Sequence, residues 1–395
     1  MDRVKIFRIS TVPIFLNIIY KGQLKYLNQF FEVHGVTSMD NKHFAECADR
    51  EGIRMHEVPM SRKIAPWDDL KSLWRLYRIM RKERPAIVHT HTPKAGLVGM
   101  MAAFIARVPC RIHTYEGLPM VETRGVKRII FRFTETLTCF CATKILSNSN
   151  GLMKLVTGLN LCSSSKIEVL GAGSSNGIDT EFFNRSFTND QINFRLQIRT
   201  GLSITETDIV FCFVGRLGVE KGIRELVDAF LKIRKSANGV KLLLVGPWEE
   251  FTGVLDETYS NLIKQSDGVI YVGRHDDIRP YLLASDVFVF PSYREGFPNA
   301  VLQAGAMELP LIVTNINGCN EIVEDNKNGL LVEPKSVTSL SEAMEELLLD
   351  SDKRNRLKTS VRSSISNKYD QQKNWALLHT EYKAQLTATG IYELV

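Results

Sequence analysis

Two short segments of this 395-residue chain hold residue types whose spacing suits chemistry. One is Gly215-Arg-Leu-Gly-Val-Glu-Lys-Gly222, set between an apolar run at 209–214 and an amphipathic stretch at 224–235. Glycines let a backbone come close to a ligand, and the free N–H groups at the start of a following helix carry a partial positive charge. Arg216 adds a planar fork and Lys221 a point charge, a combination suited to a diphosphate. Gly222 stands where a Walker loop has the Ser or Thr that binds magnesium, so the segment is not one. The competing reading is a strand-to-helix turn with solvated charges.

The second segment is Tyr293-Arg-Glu-Gly-Phe-Pro-Asn299, after a strand-like run ending at Pro291 and before a helix expected at 299–307. Pro298 suits the first turn of that helix, which puts Glu295 just before it and Gln303 about one turn inside. A carboxylate accepts without donating, so Glu295 can grip sugar hydroxyls; it can equally cap the helix.

Other constellations carry less. His89 and His91 alternate on one strand and share a face, with His113 on another strand. No carboxylate or cysteine stands at ligand spacing, so these read as strand histidines and no metal is expected. Asp350-Ser-Asp352 has the Asp-x-Asp form that binds metal-nucleotide in some transferases, but it ends a helix at 339–349 and reads as a terminal turn. The glycines of Gly171-Ala-Gly-Ser-Ser-Asn-Gly177 are spaced two then four, where a dinucleotide fingerprint needs two then three. The seven cysteines are odd in number and irregular, unlike a disulfide framework.

The elements that must hold these residues follow from periodicity. Strands are expected near 4–10, 31–37, 53–58, 86–91, 111–115, 144–148 and 166–170, then at 209–214, 240–245, 269–272, 287–290 and 311–314. Between them lie helices, notably 68–84, where Leu70, Leu73, Trp74, Tyr77 and Met80 recur on one side and Lys71, Arg75, Arg78, Arg81, Lys82 and Arg84 on the other. A second basic helix at 124–141 sets Lys127, Arg128 and Arg132 beside Ile129, Ile130 and Phe133. Two successive α/β alternations predict two doubly wound, Rossmann-like parallel-sheet domains facing across a cleft. The boundaries read as 1–180, a linker at 181–205, a second domain at 206–370, and a C-terminal helix at 371–395 that can pack back on the first domain. Apolar runs are too short to span a bilayer and no signal peptide is apparent, so the chain is expected to be cytoplasmic.

The net charge of +6 is uneven. Residues 1–180 carry 26 basic and 15 acidic side chains, and the remainder 24 and 29. A basic first half suggests an anionic surface or substrate. Nucleic acid is not favoured, because no RNA-binding motif interleaves aromatics with the charge.

Taken together, His89-Thr-His-Thr-Pro-Lys-Ala-Gly96, Gly173-Ser-Ser-Asn-Gly177, Gly215 to Gly222 and Pro291 to Asn299 make the chain resemble the retaining glycosyltransferases of family four. That family has the GT-B fold, and the likeness is greatest to the bacterial branch that builds capsule, O-antigen and other lipid-linked glycans from UDP-sugars. The resemblance implies that Arg216 and Lys221 hold the donor diphosphate without a metal. It implies that Glu295 contacts the transferred sugar, and that the backbone of Gly296, Phe297, Pro298 and Asn299 holds sugar and phosphate. Arg274 and His275 fall in the loop where the family reads the base. The family's second Glu is here Gln303, which keeps hydroxyl hydrogen bonds but loses a charge-assisted one. Many relatives have His-Gly where this chain has Glu116-Gly117; Glu116 is a candidate for orienting a sugar hydroxyl or the acceptor. The implied acceptor is a polyprenyl-diphosphate glycan bound to the first domain, whose basic faces near 75–84 and 124–132 would meet an anionic bilayer. A UDP-sugar epimerase of the same fold and a non-catalytic nucleotide-sugar-binding protein are the alternatives.

Overall fold

The computed structural model describes residues 3–391 apart from 62, 64, 119, 121–122, 186–188 and 251–252. It separates into two units, Met1–Gly177 with Gln371–Val395, and Ile178–Asp370.

The first unit has seven parallel strands: β1 (Lys5–Ile9), β2 (Glu32–Thr37), β3 (Arg54–Glu57), β4 (Ile87–His91), β5 (Cys110–Tyr115), β6 (Lys144–Ser147) and β7 (Ile167–Val169). Their order is β3-β2-β1-β4-β5-β6-β7, so direction of winding reverses between β1 and β4. The helices are α1 (Gln23–Leu27), α2 (His43–Glu51), α3 (Pro66–Glu83), α4 (Pro93–Ile105), α5 (Gly125–Cys141) and α6 (Asn150–Gly158). Alternate strand residues feed two separate apolar layers, as a sheet covered on both faces requires. Phe7, Ile9 and Val88 pack with Leu76 of α3, Met100 of α4 and Cys139 and Cys141 of α5. Ile6, Val33 and Ile87 pack on the other side with Leu24 of α1, Cys47 of α2 and Leu378, Tyr382 and Leu386 of the last helix.

The second unit has β8 (Ile209–Val214), β9 (Val240–Val245), β10 (Val269–Gly273), β11 (Val287–Phe290), β12 (Leu311–Thr314) and β13 (Gly329–Val332), in the order β10-β9-β8-β11-β12-β13. Its helices are α7 (Asn189–Gly201), α8 (Ile223–Ser236), α9 (Glu257–Gln265), α10 (Arg279–Ala284), α11 (Asn299–Ala306), α12 (Cys319–Ile322), α13 (Val337–Leu349) and α14 (Ser351–Tyr369). The last helix, α15 (Gln371–Ala388), belongs to the first unit. The central strands are nearly continuous apolar runs, Ile-Val-Phe-Cys-Phe-Val in β8 and Val-Phe-Val-Phe in β11, buried along their length.

Four sequence expectations change. The stretch 181–205 is not a free linker: it carries α7, whose buried Arg199 donates to the carbonyls of Thr205, Asp208 and Ala284 and to Asp286. Strand β13 and helix α14 were not expected; α14 buries only a narrow stripe of Leu357, Val361, Ile365 and Tyr369. Asp350 caps α14, its carboxylate accepting from the Lys353 N–H at 2.8 Å. On α3 the buried side is Ser72, Leu76 and Met80, and Leu70 and Trp74 are exposed together with Lys71, Arg75 and Arg78.

Helix α5 buries one acid, Glu135, which burial pushes from 4.5 up to about 7, the Tyr115 hydroxyl pulling the other way. A carboxyl raised in the folded state stabilises the fold below its unfolded value and loses that contribution as pH rises. Stability is therefore expected to fall by about 3 kcal/mol between pH 4.5 and pH 8 on account of this group. Glu135→Gln should flatten that part of the profile and raise the melting temperature at pH 8, measured by thermal unfolding across pH.

Candidate functional site

In an open parallel sheet, ligands enter outside the C-terminal ends of the strands where winding reverses. In the second unit that point lies between β8 and β11, and the two chemistry-bearing segments leave from these two strands. After β8 the chain runs through Gly215 to a short turn of helix at Val219–Lys221 and into α8. Gly222 takes φ 69°, and a Cβ there would lie 2.1 Å from the Pro291 carbonyl oxygen. Only glycine lets the two loops approach this closely.

The approach brings Lys221 to Glu295, Nζ to Oε1 at 2.5 Å, and the Ser292 hydroxyl donates to the same oxygen at 2.7 Å. Glu295 therefore does not cap α11; Pro298 occupies that position, and no side chain caps the helix. The first N–H groups of α11 stay available, as at any uncapped helix start. Lys221 also lies 5.6 Å from the centre of the Phe290 ring. Asn317, in the loop after β12, donates to the carbonyls of Glu295 and Gly296 at 3.1 and 3.3 Å. Gly318 beside it (φ 77°) could carry no Cβ without meeting the Gly296 oxygen at 2.4 Å. Three loops thus fix the backbone of Glu295 to Phe297.

Arg216 is 57% exposed and pairs with Glu249 from the loop after β9. Both expected diphosphate ligands are therefore held by carboxylates, one at each cation. Gln303 is half-buried one turn into α11, and Phe297 packs its ring against Tyr369 with centroids 5.4 Å apart. Arg274 and His275 follow β10 at the edge of the sheet, two strands from the reversal. His275 is occupied locally, its Nε2 2.9 Å from the Val272 carbonyl and 2.8 Å from the Tyr281 hydroxyl. The structure thus joins Lys221, Glu295 and the 296–299 backbone, sets Arg216 beside Glu249, and leaves Arg274 and His275 apart. Glu249, Ser292 and Asn317 were not anticipated. Glu249 and Asn317 sit after strand ends, the one signal that marks them in the sequence.

In the first unit, the ends of β1, β4 and β5 gather a second polar group. His89 meets the hydroxyls of Tyr382 and Thr114, each at 2.6 Å, and His113 meets Thr90 at 2.9 Å from the opposite face. Burial lowers all three strand histidines, His113 to about 4, so each is neutral. His89 and His113 are engaged by hydroxyls, whereas His91 lies between the Tyr20 hydroxyl and the buried Arg8 guanidinium, whose Nε donates to Nε2 at 3.1 Å. Glu116, directly after β5, accepts from the hydroxyls of Tyr20 and Ser175 and from the Asn148 amide. Burial pushes its carboxyl up, and the Ser175 and Tyr20 donors oppose the rise.

Residues 27–173 match the family described as "Glycosyl transferase 4-like domain", and residues 194–364 match "Glycosyl transferases group 1". A capsular polysaccharide biosynthesis glycosyltransferase of Staphylococcus aureus, CapM, is 34% identical over 387 residues, 98% of each chain. The UDP-Gal:alpha-D-GlcNAc-diphosphoundecaprenol alpha-1,3-galactosyltransferase of Escherichia coli is 31% identical over 298 residues, 74% of each. Among solved structures, Anabaena Alr3699/HepE in complex with UDP and glucose aligns with a TM-score of 0.80 at 18% identity, over 96% of this chain and 100% of that one.

If the two cations exchange their carboxylates for a diphosphate, Arg216→Ala and Lys221→Ala should each raise the Kd for inorganic diphosphate about tenfold, as loss of a charge-assisted bond does. Calorimetric titration reads this directly; affinities equal to that of the unaltered protein would mean that the cations stay with Glu249 and Glu295.

Proposed function

This chain belongs to the group 1 glycosyl transferases of the two-domain GT-B fold, and we propose that it moves a hexose or N-acetylhexosamine from a UDP-sugar to a polyprenyl-diphosphate-linked glycan with retention of configuration. The family and relatives make it a glycosyltransferase of bacterial capsule and lipid-linked glycan synthesis. The donor and mechanism rest on one observation: Lys221 and Glu295 converge at the β8/β11 reversal, in the loops that also carry Arg216 and lead into α11.

In this scheme the acceptor hydroxyl attacks the anomeric carbon as the diphosphate departs on the same face. Arg216, Lys221 and the α11 N–H groups stabilise the negative charge that develops on the leaving group. Lys221 passes from Glu295 to phosphate, which frees the Glu295 oxygens for hydroxyls of the transferred sugar. A donor phosphate oxygen takes the acceptor proton, so no protein nucleophile is needed. Gln303 accepts from one ribose hydroxyl and donates to the other, and Arg274 and His275 border the base. The cations do the neutralising, so turnover should survive EDTA. UDP-Gal, UDP-Glc, UDP-GalNAc and UDP-GlcNAc are screened for UDP release with a lipid-linked acceptor. Turnover abolished by EDTA, or an inverted product anomer, would refute the scheme; Arg216→Ala with Lys221→Ala is expected to cost about 10²-fold or more in kcat.

The acceptor reading places the protein peripherally on the inner face of the cell membrane. Among the described residues no helix is long and apolar enough to cross a membrane. Support for contact comes from α3 and α5, which flank α4. Trp67, Leu70 and Trp74 are exposed on α3 among Lys71, Arg75 and Arg78, Trp67 at 79%. Val126, Ile129 and Phe133 are exposed on α5 among Lys127, Arg128 and Arg132, Phe133 at 67%. Aromatic and basic side chains on one helix face suit an anionic lipid surface. Flotation with phosphatidylglycerol vesicles should show binding that falls as salt rises, and Trp67→Ser with Phe133→Ser should weaken it; binding indifferent to salt and lipid charge would remove the membrane from the reading.

A further inference from the structure

Glu116 is held as few surface acids are. Its side chain is 17% exposed and stands after β5, one strand from the β1/β4 reversal of the first sheet. Oε1 accepts from the Tyr20 hydroxyl; Oε2 accepts from the Ser175 hydroxyl and, at 3.3 Å, from the Asn148 amide. A carboxylate has about four acceptor positions, so the three donors among the described residues leave one, on Oε1.

The aim of that remaining position is set from inside the sheet. Arg8 is fully buried, and its Nε donates to His91 Nε2 at 3.1 Å. A guanidinium cannot accept, so His91 Nε2 is bare and Nδ1 carries the ring proton. Nδ1 lies 2.7 Å from the Tyr20 oxygen and donates to it, which turns the Tyr20 proton to Glu116. A second arm also begins at Arg8. Its Nη2 donates to Gln23 Oε1 at 2.8 Å, and the Gln23 amide donates to the Ser175 carbonyl and the Asn176 side chain, both at 3.1 Å. That arm fixes the turn from which Ser175 reaches Oε2. One buried cation thus orients both oxygens of one carboxylate. Thr92, next to His91, takes φ 70°, a costly conformation for a β-branched residue. Such strain marks sites where geometry is imposed for function.

We propose that Glu116 accepts a hydroxyl of a bound sugar on its remaining position, and that Arg8, His91 and Tyr20 are the positioning residues that aim it. The proposal rests on the transferase reading above. The hydroxyl belongs either to the acceptor glycan or to the sugar carried by UDP, and the test separates the two.

The full chain is assayed with the UDP-sugar that releases most UDP and with polyprenyl-diphosphate-N-acetylglucosamine as acceptor probe. Glu116→Gln, which turns half the carboxylate into a donor, should lower kcat/KM about tenfold or more with diphosphate binding unchanged. Tyr20→Phe should cost about fivefold, and the double variant should be no worse than Glu116→Gln alone, because Tyr20 acts only through Glu116. If Tyr20→Phe fails to fold, Glu116→Asp takes its place: it keeps the charge, withdraws the oxygen and is expected to lose as much as the Gln variant. A loss confined to the acceptor KM, with acceptor-free hydrolysis of the UDP-sugar unchanged, assigns the hydroxyl to the acceptor; a parallel loss in that hydrolysis assigns it to the donor. Glu116→Gln within about twofold of the unaltered enzyme, or losses that multiply in the double variant, would overturn the proposal. A chain that releases no UDP from any donor overturns the transferase reading, and this inference with it.

Discussion

A guanidinium without access to water lies in the middle of the first sheet, and the polar half of that unit is arranged around it. Arg8 cannot shed its charge, so the fold must supply acceptors and a polarisable surface. His91, Gln23 and the face of Tyr20, 4.7 Å away, do so. Burial holds His89 and His91 neutral, as it must, since a protonated imidazole beside Arg8 would face an uncompensated cation. The final helix completes the arrangement: Tyr382 meets His89, and Trp375 donates to Asn176 at 2.6 Å. A sheet with this much polar interior needs that cover, because an unpaired polar group in the core costs roughly 1–3 kcal/mol.

The second unit solves a different problem. Its strands β8, β9 and β11 are apolar but for Lys241 in β9, and Arg216, Lys221, Glu249 and Glu295 lie in loops beyond the strand ends. There the cations are already satisfied, Arg216 by Glu249 and Lys221 by Glu295. Partly exposed ion pairs are worth only about 0–1 kcal/mol, so exchange for a diphosphate sacrifices little. In the proposed scheme the exchange is also productive, because the acid that Lys221 releases, Glu295, would then receive sugar hydroxyls. Pairing in the unliganded state keeps the loops in register without making them refuse the ligand.

Most strands could be read from the sequence because parallel strands buried on both faces are apolar runs; their order, and with it the reversal points, came from the structure. The misses have physical causes. Helix α14 is polar except for Leu357, Val361, Ile365 and Tyr369, a stripe too narrow for periodicity to stand out. On α3, Leu70 and Trp74 looked like core residues because apolarity alone cannot say which side of a helix faces water. Glu249, Tyr20 and Arg8 act across gaps of 33, 96 and 83 residues in the hydrogen bonds that define them. No local pattern encodes such partners; the reversal rule narrows the search to strand ends, and only coordinates select among them. The Lys221–Glu295 contact was implied by family likeness as two separate ligand roles, and the ion pair joining them was not.

The division of charge between the units bears on what each can recognise. Glu116 only accepts while ionised. A leaving phosphate is itself an acceptor and gains nothing from such a group, so what faces Glu116 must bring a proton of its own, as a sugar hydroxyl does. Burial pushes the Glu116 carboxyl up, and the three donors already turned onto it oppose that rise. Part of the positive excess of residues 1–180 lies elsewhere, on the exposed sides of α3 and α5. In the proposed scheme, charge that neutralises a leaving group and charge that attracts a surface are therefore carried by different elements, and each can change without disturbing the other.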